Sequence, residues 1–108
     1  MNLDDLLKRA EDIKSKYDQL NKQKRGIVWN GQDFMAGFVG DVGALSKIIM
    51  AKHGLRDDVD NVDVRLAHQL IDCLWSVLVL AHEYNVDLET EFTKTMDELE
   101  KRIGRGDG

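Results

Sequence analysis

The side chains best suited to chemistry in this chain are a set of polar groups strung along one predicted helix. Arg65, Gln69, Asp72, Ser76 and Glu83 follow one another at spacings of four, three, four and seven residues, which draws a single polar stripe on an otherwise apolar rod. Asp72 lies at its centre. A second carboxylate, Asp41, sits in the run Gly37-Phe38-Val39-Gly40-Asp41-Val42-Gly43, beside an apolar stripe instead of opposite it. Periodicity alone leaves two readings open for each: solvated face or polar site for the stripe, boundary carboxylate or ligand for Asp41. Lys47 is either a surface lysine or a phosphate contact, and Trp29 either a buried hinge anchor or a stacking platform for a base. His53, His68 and His82 lack metal-ligand spacing, and no P-loop or nucleophile elbow is present. Cys73 and Trp75 fall in apolar surroundings and read as core.

The elements that must position these groups are helices. Leu3, Leu6, Leu7, Ala10, Ile13, Tyr17 and Leu20 recur at three and four residues and predict a first helix from about residue 3 to 24, with Asn2 as its N-cap. A connector with two glycines, Arg25 to Gly31, leads to a second helix capped by Asn30 and Asp33 and stopped near Gly54. Its expected buried positions are Phe34, Phe38, Val42, Leu45 and Ile49. Gly37, Gly40 and Gly43 each disfavour a helix interior by about 1 kcal/mol, which points to close approach of another helix or a ligand. Asp57, Asp58 and Asp60 form an acidic loop. A third helix, about 62 to 84, is apolar over most of its circumference and is expected to be central. Asp87 caps a fourth, with Leu88, Phe92, Met96, Leu99 and Ile103 on one face. Short links between four helices predict an all-α, antiparallel four-helix bundle formed by residues 1–108 as one domain. Residues 104–108 are expected to form a frayed tail, and its Arg-Gly-Asp tripeptide (Arg105 to Asp107) reads as coincidence.

Composition narrows the function classes. The chain has 108 residues, no proline and a formal net charge of −5. Absence of proline favours helix, and the acidic balance disfavours nucleic-acid polymers and anionic membranes as partners. A nucleotide still binds an acidic protein when a divalent cation bridges the two, so metal-assisted phosphate chemistry remains open. The start of the chain lacks a basic, apolar leader, and the longest apolar run, Cys73 to Ala81, is shorter than a bilayer span. A single cysteine fits a reducing compartment. The expectation is a cytoplasmic protein. So apolar a third helix in so small a bundle also predicts self-association, as a homodimer or larger homo-oligomer.

Read together, the two acidic segments resemble a known family. Gly37 to Lys47 is similar to the second helix of MazG-like nucleotide pyrophosphohydrolases, in which an E-x-x-E type pair sits in a Val-Gly context, and Leu66 to Trp75 looks like that family's E-x-x-D element. Glu83 to Glu89 and Phe92 to Arg102 resemble its turn and closing helix, so the resemblance spans about residues 29 to 103. It implies a bundle of the MazG-like type, self-associated, that cleaves a nucleoside or deoxynucleoside triphosphate to the monophosphate and pyrophosphate with Mg²⁺ or Mn²⁺. The family's four ligand positions fall on Asp41, Ala44, Gln69 and Asp72. The resemblance therefore assigns Asp41 and Asp72 as catalytic and Asp41, Gln69 and Asp72 as metal ligands, while Lys47 and Trp29 are candidate nucleotide contacts on their own chemistry. Ala44 and Gln69 depart from the acidic pattern, and Thr95 and Leu99 stand where many relatives carry lysine and asparagine. Those departures imply weak activity, or alternatively a catalytically inactive nucleotide-binding or protein-interaction module.

Overall fold

The computed structural model describes residues 1–106 and contains four α-helices: α1 (Leu3–Arg25), α2 (Gly31–Lys52), α3 (Val62–Glu83) and α4 (Leu88–Gly104). No strand occurs among the described residues. Asp107 and Gly108, and with them the end of the Arg-Gly-Asp tripeptide, lie outside them.

Local chemistry sets each boundary. α1 and α2 begin with reciprocal capping boxes, Asn2 with Asp5 and Asn30 with Asp33, so two otherwise orphaned amides are satisfied at each start. Gly26 and Gly54 end those helices with φ of 69° and 73°, a left-handed conformation that glycine adopts without a Cβ penalty. The acidic loop supplies no cap to α3: Asn61 precedes it in the left-handed region without a side-chain bond. Instead Asp63, in the first turn of α3, pairs with Lys52 at the end of α2. Asp87 caps α4 by accepting from the Thr90 amide.

α2 and α3 form an antiparallel pair, held at one end by Lys52 and Asp63 and at the other by Gly31 beneath the Tyr84 ring. α1 crosses the C-terminal half of α3, where the Trp75 indole donates to the Ala10 carbonyl at 3.2 Å and Glu11 meets His82 at 3.0 Å. The core is small: Ala10, Phe34, Ala51, Leu78, Val79 and Ala81. Phe34 sets the rotation of α2. Its ring lies edge-on to Trp29 and Trp75, so the inward line continues through Phe38, Asp41, Leu45, Ile48 and Ala51. Val42 and Ile49, expected inside, are 46% and 40% exposed.

The expected four-helix bundle is not closed within one chain. α4 packs along none of the other helices and has no buried residue. The turn is the cause: Asn85 takes a left-handed φ of 56° and the Val86 amide bonds back to the Ala81 carbonyl, which fixes the exit direction of α4 away from the three packed helices. Gly37 lies under Trp29 as expected of a close-contact glycine, but Gly40 and Gly43 face open space. By length and composition α2 and α3 are each apolar enough to cross a membrane. Each also carries a carboxylate near its middle, Asp41 and Asp72, a costly position in hydrocarbon.

Candidate functional site

The polar stripe of α3 is turned towards the protein. Ser76 is buried and Gln69 and Asp72 are half-buried, while Val64, Leu70 and Leu74 on the opposite side face solvent and Ile71, also exposed, lies at the edge of the cavity that Asp72 lines. The solvated-face reading therefore fails for the middle of the stripe and holds only for its ends, Arg65 and Glu83, which are exposed. Burying such groups is costly unless they are paired, and Gln69 and Ser76 are paired across the helix interface. The Gln69 amide nitrogen donates to the Asp41 carbonyl at 3.2 Å and to Asp41 Oδ1 at 3.3 Å. The Ser76 hydroxyl donates to Asp41 Oδ2 at 3.5 Å. Asp41 is thus a half-buried carboxylate with a donor on each oxygen. Asp72 Oδ2 lies 3.5 Å from His68 Nε2, an ion pair only when that exposed histidine is protonated. Between these groups sits Cys73, whose thiol is pushed up by partial burial and further by the negative charges of Asp41 and Asp72.

Asp41, Asp72 and Ser76 form one wall of a wedge of about 780 Å³ that opens where the C-terminal half of α1 diverges from the α2–α3 pair. Tyr17, Trp29, Phe34 and Trp75 line its apolar part, and Asn21 and Arg25 bring polar groups from α1. The rings form a chain of contacts: Tyr17 to Trp75 at 5.9 Å, Trp75 to Phe34 at 6.1 Å and Phe34 to Trp29 at 5.5 Å between centroids. Arg25 is oriented by Asn21, to which its Nη1 donates at 2.9 Å. The wedge therefore combines flat apolar walls, two carboxylates and one guanidinium. That set suits a ligand with an aromatic body and a charged end.

Of the residues singled out in the sequence, Asp41, Asp72, Ser76 and Trp29 line this one cavity, and Gln69 touches Asp41. Lys47 does not reach it and lines a second hollow of about 510 Å³ with Arg56, Asp57 and Asp58. Ala44 is half-buried and lines neither, while Thr95 and Leu99 are exposed on the detached α4. Tyr17, Asn21, Arg25, Phe34 and Trp75 belong to the wedge without having been picked out as site residues. Their signal was present but ambiguous, because Tyr17, Phe34 and Trp75 occupy regular apolar positions and Arg25 stands beside the Gly26 helix stop.

The donor set constrains any metal. No group of three or more histidine, cysteine, aspartate or glutamate side chains converges among the described residues, so an all-protein cage is absent there. Asp41 and Asp72 line one cavity, and carboxylates are the ligand type Mg²⁺ takes, commonly one or two of them together with several waters and a substrate's phosphates. No family model, curated protein or solved structure matches the chain.

Proposed function

We propose that this protein is a metal-dependent nucleoside triphosphate pyrophosphohydrolase of the MazG-like kind with weak turnover, acting on the cytoplasmic nucleotide pool. The observation that carries the reading is that Asp41 and Asp72, the two acidic positions retained from the family pattern, share one cavity with Trp29 and three further aromatic rings. In this reading the rings receive the base, Arg25 binds phosphate oxygens, and Asp41 and Asp72 hold Mg²⁺ or Mn²⁺ with Gln69 beside them. Bound there, the ion would neutralise triphosphate charge and lower the pKa of a coordinated water. The chain's own contribution is positional. Gln69 and Ser76 hold the Asp41 carboxylate in one orientation, and the aromatic walls exclude water from one side of the ligand.

A second reading, a nucleotide-binding module without turnover, is favoured by one contact. The Gln69 amide points its nitrogen at Asp41 and thereby offers a donor where the family pattern has an acid. Incubation with a panel of NTPs and dNTPs in Mg²⁺ or Mn²⁺, with pyrophosphate release as readout, separates the two. The enzyme reading expects slow release that disappears in Asp41→Asn and Asp72→Asn and rises in Ala44→Glu with Gln69→Glu. Nucleotide binding without release in any variant would leave only the module. Absence of binding to wild type and to the double variant would remove both.

A further inference from the structure

The second hollow, of about 510 Å³, lies in line with the candidate site. Gly37 and Asp41 of the wedge and Ile48 and Ala51 of the hollow recur on α2 at spacings of four, seven and three residues, which puts all four on one face of that helix. Ala44 falls between them on the same face and presents only a methyl group there. From Asp41 to Ile48 the axial rise is about 10 Å at 1.5 Å per residue. Four charged side chains stand on the hollow: Lys47, Arg56, Asp57 and Asp58. None of the four has a side-chain hydrogen bond or ion pair among the described residues, whereas Lys52 in the last turn of α2 pairs with Asp63. An ammonium and a guanidinium free to turn to one cavity suit phosphate oxygens. The two carboxylates and the C-terminal end of the α2 dipole repel a bare anion. A phosphate chain that arrives with a divalent cation satisfies both signs, its oxygens meeting Lys47 and Arg56 and its cation facing Asp57 and Asp58.

We propose that this hollow is a subsite for a magnesium-bound pyrophosphate group. In the nucleotide reading above, on which this role rests, it receives the two terminal phosphates of a triphosphate whose base and first phosphate occupy the wedge. Lys47 and Arg56 then recognise the length of the phosphate chain, and Arg25 meets the phosphate next to the sugar.

Calorimetric titration of the full chain with inorganic pyrophosphate, a nucleoside monophosphate and a triphosphate analogue with a non-hydrolysable α–β bridge tests it. In Mg²⁺ the wild type should bind pyrophosphate, and should bind the triphosphate more tightly than the monophosphate. Lys47→Met with Arg56→Gln changes only exposed positions, so its circular dichroism should match that of the wild type. This double variant should weaken pyrophosphate and triphosphate by about tenfold per lost charge and leave the monophosphate unchanged. Asp57→Asn with Asp58→Asn should let pyrophosphate bind without Mg²⁺. Pyrophosphate affinity unchanged in the lysine–arginine variant would overturn the proposal. So would equal weakening of triphosphate and monophosphate, which means only a loss of general charge attraction. A wild type that binds no nucleotide yet holds pyrophosphate through Lys47 and Arg56 would reject the nucleotide reading while upholding the hollow as a pyrophosphate site.

Discussion

Substituting Gln69 by glutamate probes the candidate site at its most informative contact. The wild-type amide donates to Asp41 twice, at 3.2 and 3.3 Å, and both lengths are at the long end of the N–H···O range. Loss of two such bonds costs about 0.5 kcal/mol each, and a second carboxylate beside half-buried, partly screened Asp41 adds about 1 kcal/mol of repulsion. The metal-free variant should therefore be about 2 kcal/mol less stable, a fall in Tm of roughly 10 °C for a chain of this size. Mg²⁺ should reverse the order, because the new acid restores an oxygen ligand. At a concentration about 100 times its Kd, the ion returns about 2.7 kcal/mol, enough to offset the whole loss. Thermal melts at one fixed protein concentration, with and without Mg²⁺, measure both effects. Gln69→Met is the control: it loses the same bonds, gains no charge, and should lose about 1 kcal/mol with no added response to the ion. A Gln69→Glu protein whose Tm ignores Mg²⁺, or a methionine variant that responds equally, would refute the convergence of Asp41, Gln69 and Asp72 on one ion.

Gly31→Ala would place a Cβ 2.7 Å from Tyr84 Cζ; because the tyrosine side chain is exposed and can swing aside, the expected loss is about 1 kcal/mol, abolished in a Tyr84→Ala background in a double-mutant cycle. Trp75→Phe strips the Ala10 carbonyl of its indole donor and should lower stability by about 1–2 kcal/mol in urea titrations, whereas an unchanged midpoint would show that the contact contributes nothing. The Cys73 thiol, raised by burial and by Asp41 and Asp72, should hold less thiolate than a free cysteine at pH 8 and alkylate more slowly; Asp41→Asn should speed the reaction, and a rate equal to that of free cysteine would contradict the assignment.

Helix positions were legible from the residues because the signals were local. Asn2 with Asp5 and Asn30 with Asp33 are capping boxes within four residues of sequence, and the Gly26 and Gly54 stops need only their own φ. The rotation of each helix about its axis was less legible. Val42 and Phe38 are both apolar, and only the aromatic contacts of Phe34 with Trp29 and Trp75 decide which of them faces α3. Asp41 and Gln69 stood out in the sequence, but their mutual hydrogen bond spans 28 residues and depends on the register of two helices, which no local pattern encodes. The course of α4 was hidden for a similar reason. Three residues after Tyr84 suffice for an antiparallel return, and the left-handed Asn85 redirects it.

The inward turn of the α3 polar stripe links the site to the exposed apolar surface. A helix with one polar and one apolar side cannot direct both at the same neighbour. Once Gln69 and Ser76 bond to Asp41, Leu70 and Leu74 are committed to the outer side by the 100° step per residue. Rotating α3 to bury Leu70 and Leu74 would break three contacts to Asp41 and leave its carboxylate half-buried without donors, a loss of a few kcal/mol for which local repacking offers no substitute. The exposed stripe is thus the structural consequence of building polar groups into the helix interface. Substitutions that make Gln69 and Ser76 apolar remove the reason for that orientation. They are expected to let α3 turn and bury Leu70 and Leu74 within the single chain at the expense of the site, which a higher Tm together with loss of any Mg²⁺ response would show.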